Sequence, residues 1–140
     1  MQRRTIFYCL AIIIAVLFLM VSALYSPTVI IDRASRTNLD IRAIATALES
    51  YLSAYGNYPT GQNSNIVSSL AGGNPKQIVF LSFRRTAEHP NEMVDPWEMP
   101  YQVEFSQLTN FIVRSAGKDK ILGDGDDIIF NSASNNFVKP

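Results

Sequence analysis

From Thr5 to Tyr25 no side chain carries a charge. A helix rising about 1.5 Å per residue would cover roughly 30 Å over such a run, the thickness of a bilayer's hydrocarbon core. The run therefore reads as a membrane segment or a signal peptide. Arg3 and Arg4 precede it, which suits a cytoplasmic N-terminus with the remainder outside, although Arg33 and Arg36 on the far side reduce the asymmetry. Cleavage after Ala23 is the competing reading, because Val21 and Ala23 supply small residues where a signal peptidase needs them. The run is longer than the roughly 7 to 15 residues of a signal-peptide core, so a retained anchor is favoured. The expected division is a cytoplasmic tail over residues 1–4, a transmembrane helix over 5–25 and an exported domain over 26–140.

Twelve basic and twelve acidic residues balance in a chain of 140, enough for one domain and an anchor. That balance, without a basic stripe, speaks against a nucleic-acid partner, and Arg84–Arg85 is a lone basic pair of the kind common on solvated surfaces. The single cysteine, Cys9, lies inside the apolar run. No intramolecular disulfide is available, so the exported part must be held by its core or by a metal. Lipid modification of Cys9 is disfavoured, since Ile6, Phe7 and Tyr8 before it are not small.

Beyond Pro27, which would interrupt a helix running out of the membrane, the apolar residues Ile41, Ile44, Leu48, Tyr51, Leu52 and Tyr55 recur at three- and four-residue steps. They predict an amphipathic helix ending near Tyr55, where Gly56 can cap it and Pro59 prevents continuation. A shorter helix is expected over Ile66–Ala71, closed by Gly72 and Gly73. Ile78–Phe83 is an apolar run whose length fits strand or helix. Thr86–Val94 reads as an exposed loop in which His89 stands without a second histidine or cysteine, as a surface residue. From Tyr101 the period drops to two, predicting strands through Phe105 and from Phe111, joined by a hairpin over Ser106–Asn110, with a third strand at Ile128–Phe130. The tail from Asn131 to Pro140 is polar and expected to fray. The fold class is α+β, a long helix on a small antiparallel sheet. No nucleophile motif, phosphate loop or histidine base is present, so an enzyme is not expected.

Ser115–Ile128, SAGKDKILGDGDDI, concentrates four aspartates and three glycines. Asp119, Asp126 and Asp127 are the natural carboxylate donors for a hard cation, and Gly117, Gly123 and Gly125 permit turns that aim backbone carbonyls inward. The spacing is not that of an EF-hand. On spacing alone a solvated acidic turn, partly neutralised by Lys118 and Lys120, fits equally well.

The order of apolar segment, a helix ending in Gly56–Pro59 (GNYP), DPWEMPY from Asp95 to Tyr101 and the acidic loop resembles the major pseudopilins, or G proteins, of bacterial type II secretion systems, within the wider type IV pilin-like group. The resemblance implies a pilin-like fold with a C-terminal calcium loop and a structural subunit rather than an enzyme. It implies Ca2+ held by the side chains of Asp119, Asp126 and Asp127 and by the carbonyls of Ala116 and Asp124. It also implies a single-pass inner-membrane protein with its domain in the periplasm, partnered by other secretion-apparatus subunits or by copies of itself. Two departures stand out: Glu98 replaces a glycine of the motif, and Thr5–Tyr25 contains neither the glycine nor the glutamate of a pseudopilin processing site. A non-polymerising calcium-binding module, anchored or secreted, is the alternative.

Overall fold

The computed structural model describes residues 31–83, 86–106 and 110–138. The tail over 1–4, the predicted span over 5–25, Cys9, Pro27 and the Arg84–Arg85 pair lie outside the described residues. Among the described residues no helix is long and apolar enough to cross a membrane.

Helix α1, Arg33–Tyr55, begins at Asp32, whose carboxylate accepts from the Ser35 amide at 2.9 Å and the Ser35 hydroxyl at 2.7 Å. Those two bonds, the hydroxyl first, hold the Asp32 carboxyl below its ordinary range. The helix stops as predicted: Gly56 takes φ 77° and its amide closes on the Leu52 carbonyl at 2.7 Å, a left-handed cap that glycine adopts without Cβ strain. Ile41, Ile44, Leu48 and Tyr51 form the buried stripe. Thr37 extends it; its hydroxyl returns to the Arg33 carbonyl at 2.9 Å and is thereby satisfied inside the core.

Helix α2, Asn63–Leu70, adds Ile66, Val67 and Leu70 to the same core. It starts earlier than the apolar residues suggest, and Ala71 is its cap rather than its last turn. The following segment is pinned by the buried Asn74, which accepts from the Tyr55 hydroxyl at 2.6 Å and the Ile78 amide at 3.0 Å, and donates to the carbonyls of Ser69 and Ile78. Ile78–Phe83 is neither strand nor helix: Val79 makes one bridge to Ala71, while Phe80, Leu81 and Phe83 pack on the core from an extended connector.

Strands β1 (Gln102–Ser106), β2 (Asn110–Ser115), β3 (Ile128–Asn131) and β4 (Asn136–Val138) form an antiparallel meander in sequence order. One row across the sheet, Val103, Val113, Phe130 and Phe137, lies in register beneath the helix. Full burial of a side chain such as Phe111 or Phe130 contributes roughly 1.5 to 3 kcal/mol.

The fourth strand corrects the expected fraying from Asn131 onward. Asn131 closes β3, a turn through Asn135 (φ 50°) reverses the chain, and Phe137 meets the Phe130 ring edge-on at 5.5 Å. The Arg42 guanidinium lies 5.1 Å from the Phe137 ring centre and 6.0 Å from that of Phe130, tying α1 to this edge. The loop before β1 also departs from expectation. Met93 and Val94 are buried, and Val94 bridges Pro100, so only its first part is surface.

Candidate metal centre

The site is built around one buried carboxylate and a cluster of exposed ones. Asp95 is fully buried at the start of a tight turn. One of its oxygens accepts from the amides of Trp97 and Met99, each at 2.9 Å, and the other accepts from the Ser115 hydroxyl at 2.6 Å. Backbone bonds from Asp95 to the Met99 carbonyl and from Tyr101 to the Met93 carbonyl, both 2.8 Å, close the turn. A short polar side chain can bond its own backbone two residues on, which is why aspartate is suited to such a corner.

Ser115 carries the connection onward, accepting from the Gly117 amide at 3.2 Å. Gly117 has φ 70°, and a Cβ there would overlap the Asp126 carbonyl oxygen and approach its carboxylate to 2.8 Å. Only glycine lets the two ends of the loop come this close. Asp126 then organises the first half of the loop by accepting from the amides of Lys118 at 2.8 Å and Asp119 at 3.1 Å. Asp119 accepts from the Ile121 amide at 2.8 Å, and Asp124 from the Asp126 amide at 3.2 Å.

These turns bring carboxylate oxygens of Asp119, Asp124 and Asp126 within 4.8 Å of one another. Residues 31–131 match the family described as Type II secretion system (T2SS), protein G. The chain belongs to the type II secretion protein G family. No curated protein and no solved structure matches it. The family is one of pilin-like components of the secretion apparatus, and the long helix on a four-stranded antiparallel sheet agrees with it.

The carboxylates of this protein G loop perturb one another. The Asp124 carboxyl is pushed up to about 6, first by its hydrogen bond with the Asp126 carboxylate and further by Asp119, whereas Asp126 is held below its ordinary value by that bond from Asp124 and by the Asp119 and Lys118 amides. A carboxylate beside another is harder to ionise, because like charges disfavour the charged form. Of the other residues expected at the site, Ala116 is buried where β2 ends. Asp127 stands apart from the three-carboxylate cluster: one oxygen accepts from the Gly123 amide at 2.8 Å, and the other is buried without a hydrogen-bond partner among the described residues. Clustered carboxylates and an orphaned buried carboxylate oxygen fit an oxygen-liganded hard cation such as Ca2+. Asp124 contributes its side chain to the cluster, in addition to the carbonyl the sequence suggested.

In the DPWEMPY turn Glu98, where the resembling motif has a glycine, takes φ 71°. Trp97 is only half-buried, whereas Tyr101 is buried and its hydroxyl donates to Asp40 on α1 at 3.3 Å. Burial, then the charges of Asp40 and Asp95, raises the Tyr101 phenol and keeps it protonated. Ser115 was not singled out from sequence. Its signal was positional, a hydroxyl on the inward register of β2 after Phe111 and Val113, and such a residue needs a buried partner. A cleft of about 220 Å³ between α1 and the connector, lined by Arg36, Asp40, Leu81, Phe83, Met93 and Tyr101 among others, shares no residue with the loop.

Proposed function

We propose that this protein is a structural subunit of a type II secretion or type IV pilus-like apparatus, anchored in the bacterial inner membrane through Thr5–Tyr25, with a calcium-stabilised domain in the periplasm. The carboxylate cluster of Asp119, Asp124 and Asp126, in a family of pilin-like secretion components, is the observation that carries the reading. Bound calcium would supply the positive charge that permits these carboxylates to be ionised together. Asp119, Asp124 and Asp126 would hold it by side chain, with Asp127 and the Ala116 and Asp124 carbonyls as further donors. Asp95 and Ser115 position the loop by fastening its first turn to the end of the sheet.

A cation bound by the native state alone stabilises that state. Calcium is therefore expected to raise the melting temperature, and Asp126→Ala to remove that response. An unchanged response in the variant would overturn the calcium assignment. Cross-linking in membranes to itself or to other secretion subunits tests the assembly.

One observation favours a second reading. Thr5–Tyr25 contains neither glycine nor glutamate, and the resemblance to pseudopilins requires both for processing and subunit pairing. A non-polymerising calcium-binding module, anchored or secreted, would have the same domain. Mass spectrometry of the mature N-terminus separates them: a methylated end within the first residues supports the filament subunit, an uncut chain an accessory anchor, and a start at Leu24 a secreted module.

A further inference from the structure

The acidic loop ends in a tip whose chemistry the cation site does not use. Ile121 is 61% and Leu122 37% exposed, and Lys118 and Lys120 beside them are also exposed. The tip lies at one definite end of the domain. Ser115, where the loop leaves β2, bonds Asp95, and Tyr101, which precedes β1 on that same side, reaches Asp40 near the start of α1. At the opposite end of the sheet, Phe105 stacks on Tyr58 beyond the helix C-terminus. The loop therefore projects from the end at which α1 begins. Ile31 and Leu39, 53% and 57% exposed, and the exposed Arg33 and Arg36 share that end. Four of the seven exposed large apolar side chains among the described residues thus belong to the loop tip or to residues 31–39, two segments that also carry four cations. Acidic groups at this end include Asp32, which is committed to the helix cap, Asp40, which is bonded to Tyr101, the exposed Glu98 on the turn that Asp95 fastens to Ser115, and the loop aspartates.

We infer that this end of the domain, with Ile121 and Leu122 at its leading edge and Lys118, Lys120, Arg33 and Arg36 around them, rests on an anionic lipid surface. The inference builds on the anchored, calcium-binding reading above. Only residues 26–30 separate the uncharged run from Ile31, and five extended residues reach at most about 18 Å, so a chain anchored through Thr5–Tyr25 keeps the start of α1 close to lipid headgroups. Apolar side chains at the tip can enter the headgroup boundary while flanking lysines attract anionic lipid. Two lysines against four aspartates leave the loop itself two charges negative, and a divalent cation cancels that excess. Contact should therefore require calcium.

The test is lysine footprinting of the full chain reconstituted in phosphatidylcholine vesicles with and without phosphatidylglycerol, using a membrane-impermeant acylating reagent. Lys118 and Lys120 are expected to react roughly fivefold more slowly with phosphatidylglycerol and calcium than with chelator or with phosphatidylcholine alone. Lys76, whose ammonium bonds the Ala54 carbonyl at the far end of α1, should be unaffected. The double substitution Ile121→Ser, Leu122→Ser, at exposed positions, should abolish the protection and leave the calcium-induced melting shift intact. Equal lysine reactivity in all vesicles, with the melting shift present, overturns the lipid contact and spares the calcium reading. Absence of the melting shift overturns the calcium reading itself, and extraction of the chain by alkaline carbonate overturns the anchor. Protection that appears only when other secretion subunits are added overturns the inference in favour of a protein partner.

Discussion

Asp95 and the aspartates of the loop stand at opposite electrostatic extremes within one connected structure. Asp95 is buried; the turn it begins supplies the Trp97 and Met99 amides to one of its oxygens, and Ser115 on β2 donates its hydroxyl to the other. Asp119, Asp124 and Asp126 lie nearer solvent, and their nearest company includes one another. A carboxylate surrounded by protein donors is a structural part, complete without a ligand. Carboxylates left facing each other are destabilised until a proton or a cation intervenes. The difference separates scaffold from site more sharply than burial or charge taken alone.

The sharpest challenge to this contrast is Asp95→Ala, which strands two amides and a hydroxyl in the interior. It should lower stability by roughly 3–4 kcal/mol in chemical denaturation, with calcium and without it. A loss below about 1 kcal/mol would mean that the turn does not depend on Asp95. Asp126→Ala should behave in the opposite way. Its stability should change chiefly with calcium present, forfeiting the gain of about 2.7 kcal/mol that a ligand at a hundred times its dissociation constant confers. If both variants lost stability equally in chelator, the loop would be scaffold like Asp95.

Acidity sharpens the comparison further. The Asp124 carboxyl is raised to about 6 in the folded state from an ordinary value of 3.8, so its contribution is fully present below about pH 4 and disappears as pH rises through about 6. Asp126 is lowered, and its contribution is lost only on acidification below the ordinary carboxyl range. Metal-free protein should therefore lose stability between pH 4 and 6, whereas saturating calcium, which favours the ionised pair, should remove or reverse that slope. Melting temperatures across this range, with calcium or chelator, check it. The smallest expected effect is Glu98→Gly. Relief of a left-handed conformation at φ 71° should exceed glycine's added unfolded-state freedom and raise stability by roughly 0.5 kcal/mol in either condition. Destabilisation would mean that the Glu98 side chain supports the turn.

The buried face and the end of α1 were legible because Ile41, Ile44, Leu48 and Tyr51 repeat at helical spacing over several turns and Gly56 marks the stop; its start at Arg33 was not. The β1–β2 hairpin was legible for the same kind of reason at period two. Strand β4 was not: Asn136, Phe137 and Val138 are too few to carry a pattern, and their strand exists because β3 offers an edge and Phe130 and Arg42 receive Phe137. Burial of Met93 and Val94 was likewise hidden inside a polar stretch, because it depends on a turn whose organising contacts come from Asp95.

By itself the sequence determined the helix-and-sheet class, the family resemblance and the loop in which a cation could bind, since periodicity, glycine placement and local carboxylate density are properties of neighbouring residues. Tertiary structure alone decided that Ser115 joins the loop to Asp95, that Asp124 turns its carboxylate toward Asp119 and Asp126 while Asp127 faces Gly123, and that Tyr101 reaches Asp40 on α1. They include contacts between groups 20 and 61 residues apart in the chain. They are set by how strands register and how the helix crosses them, and no local pattern encodes them.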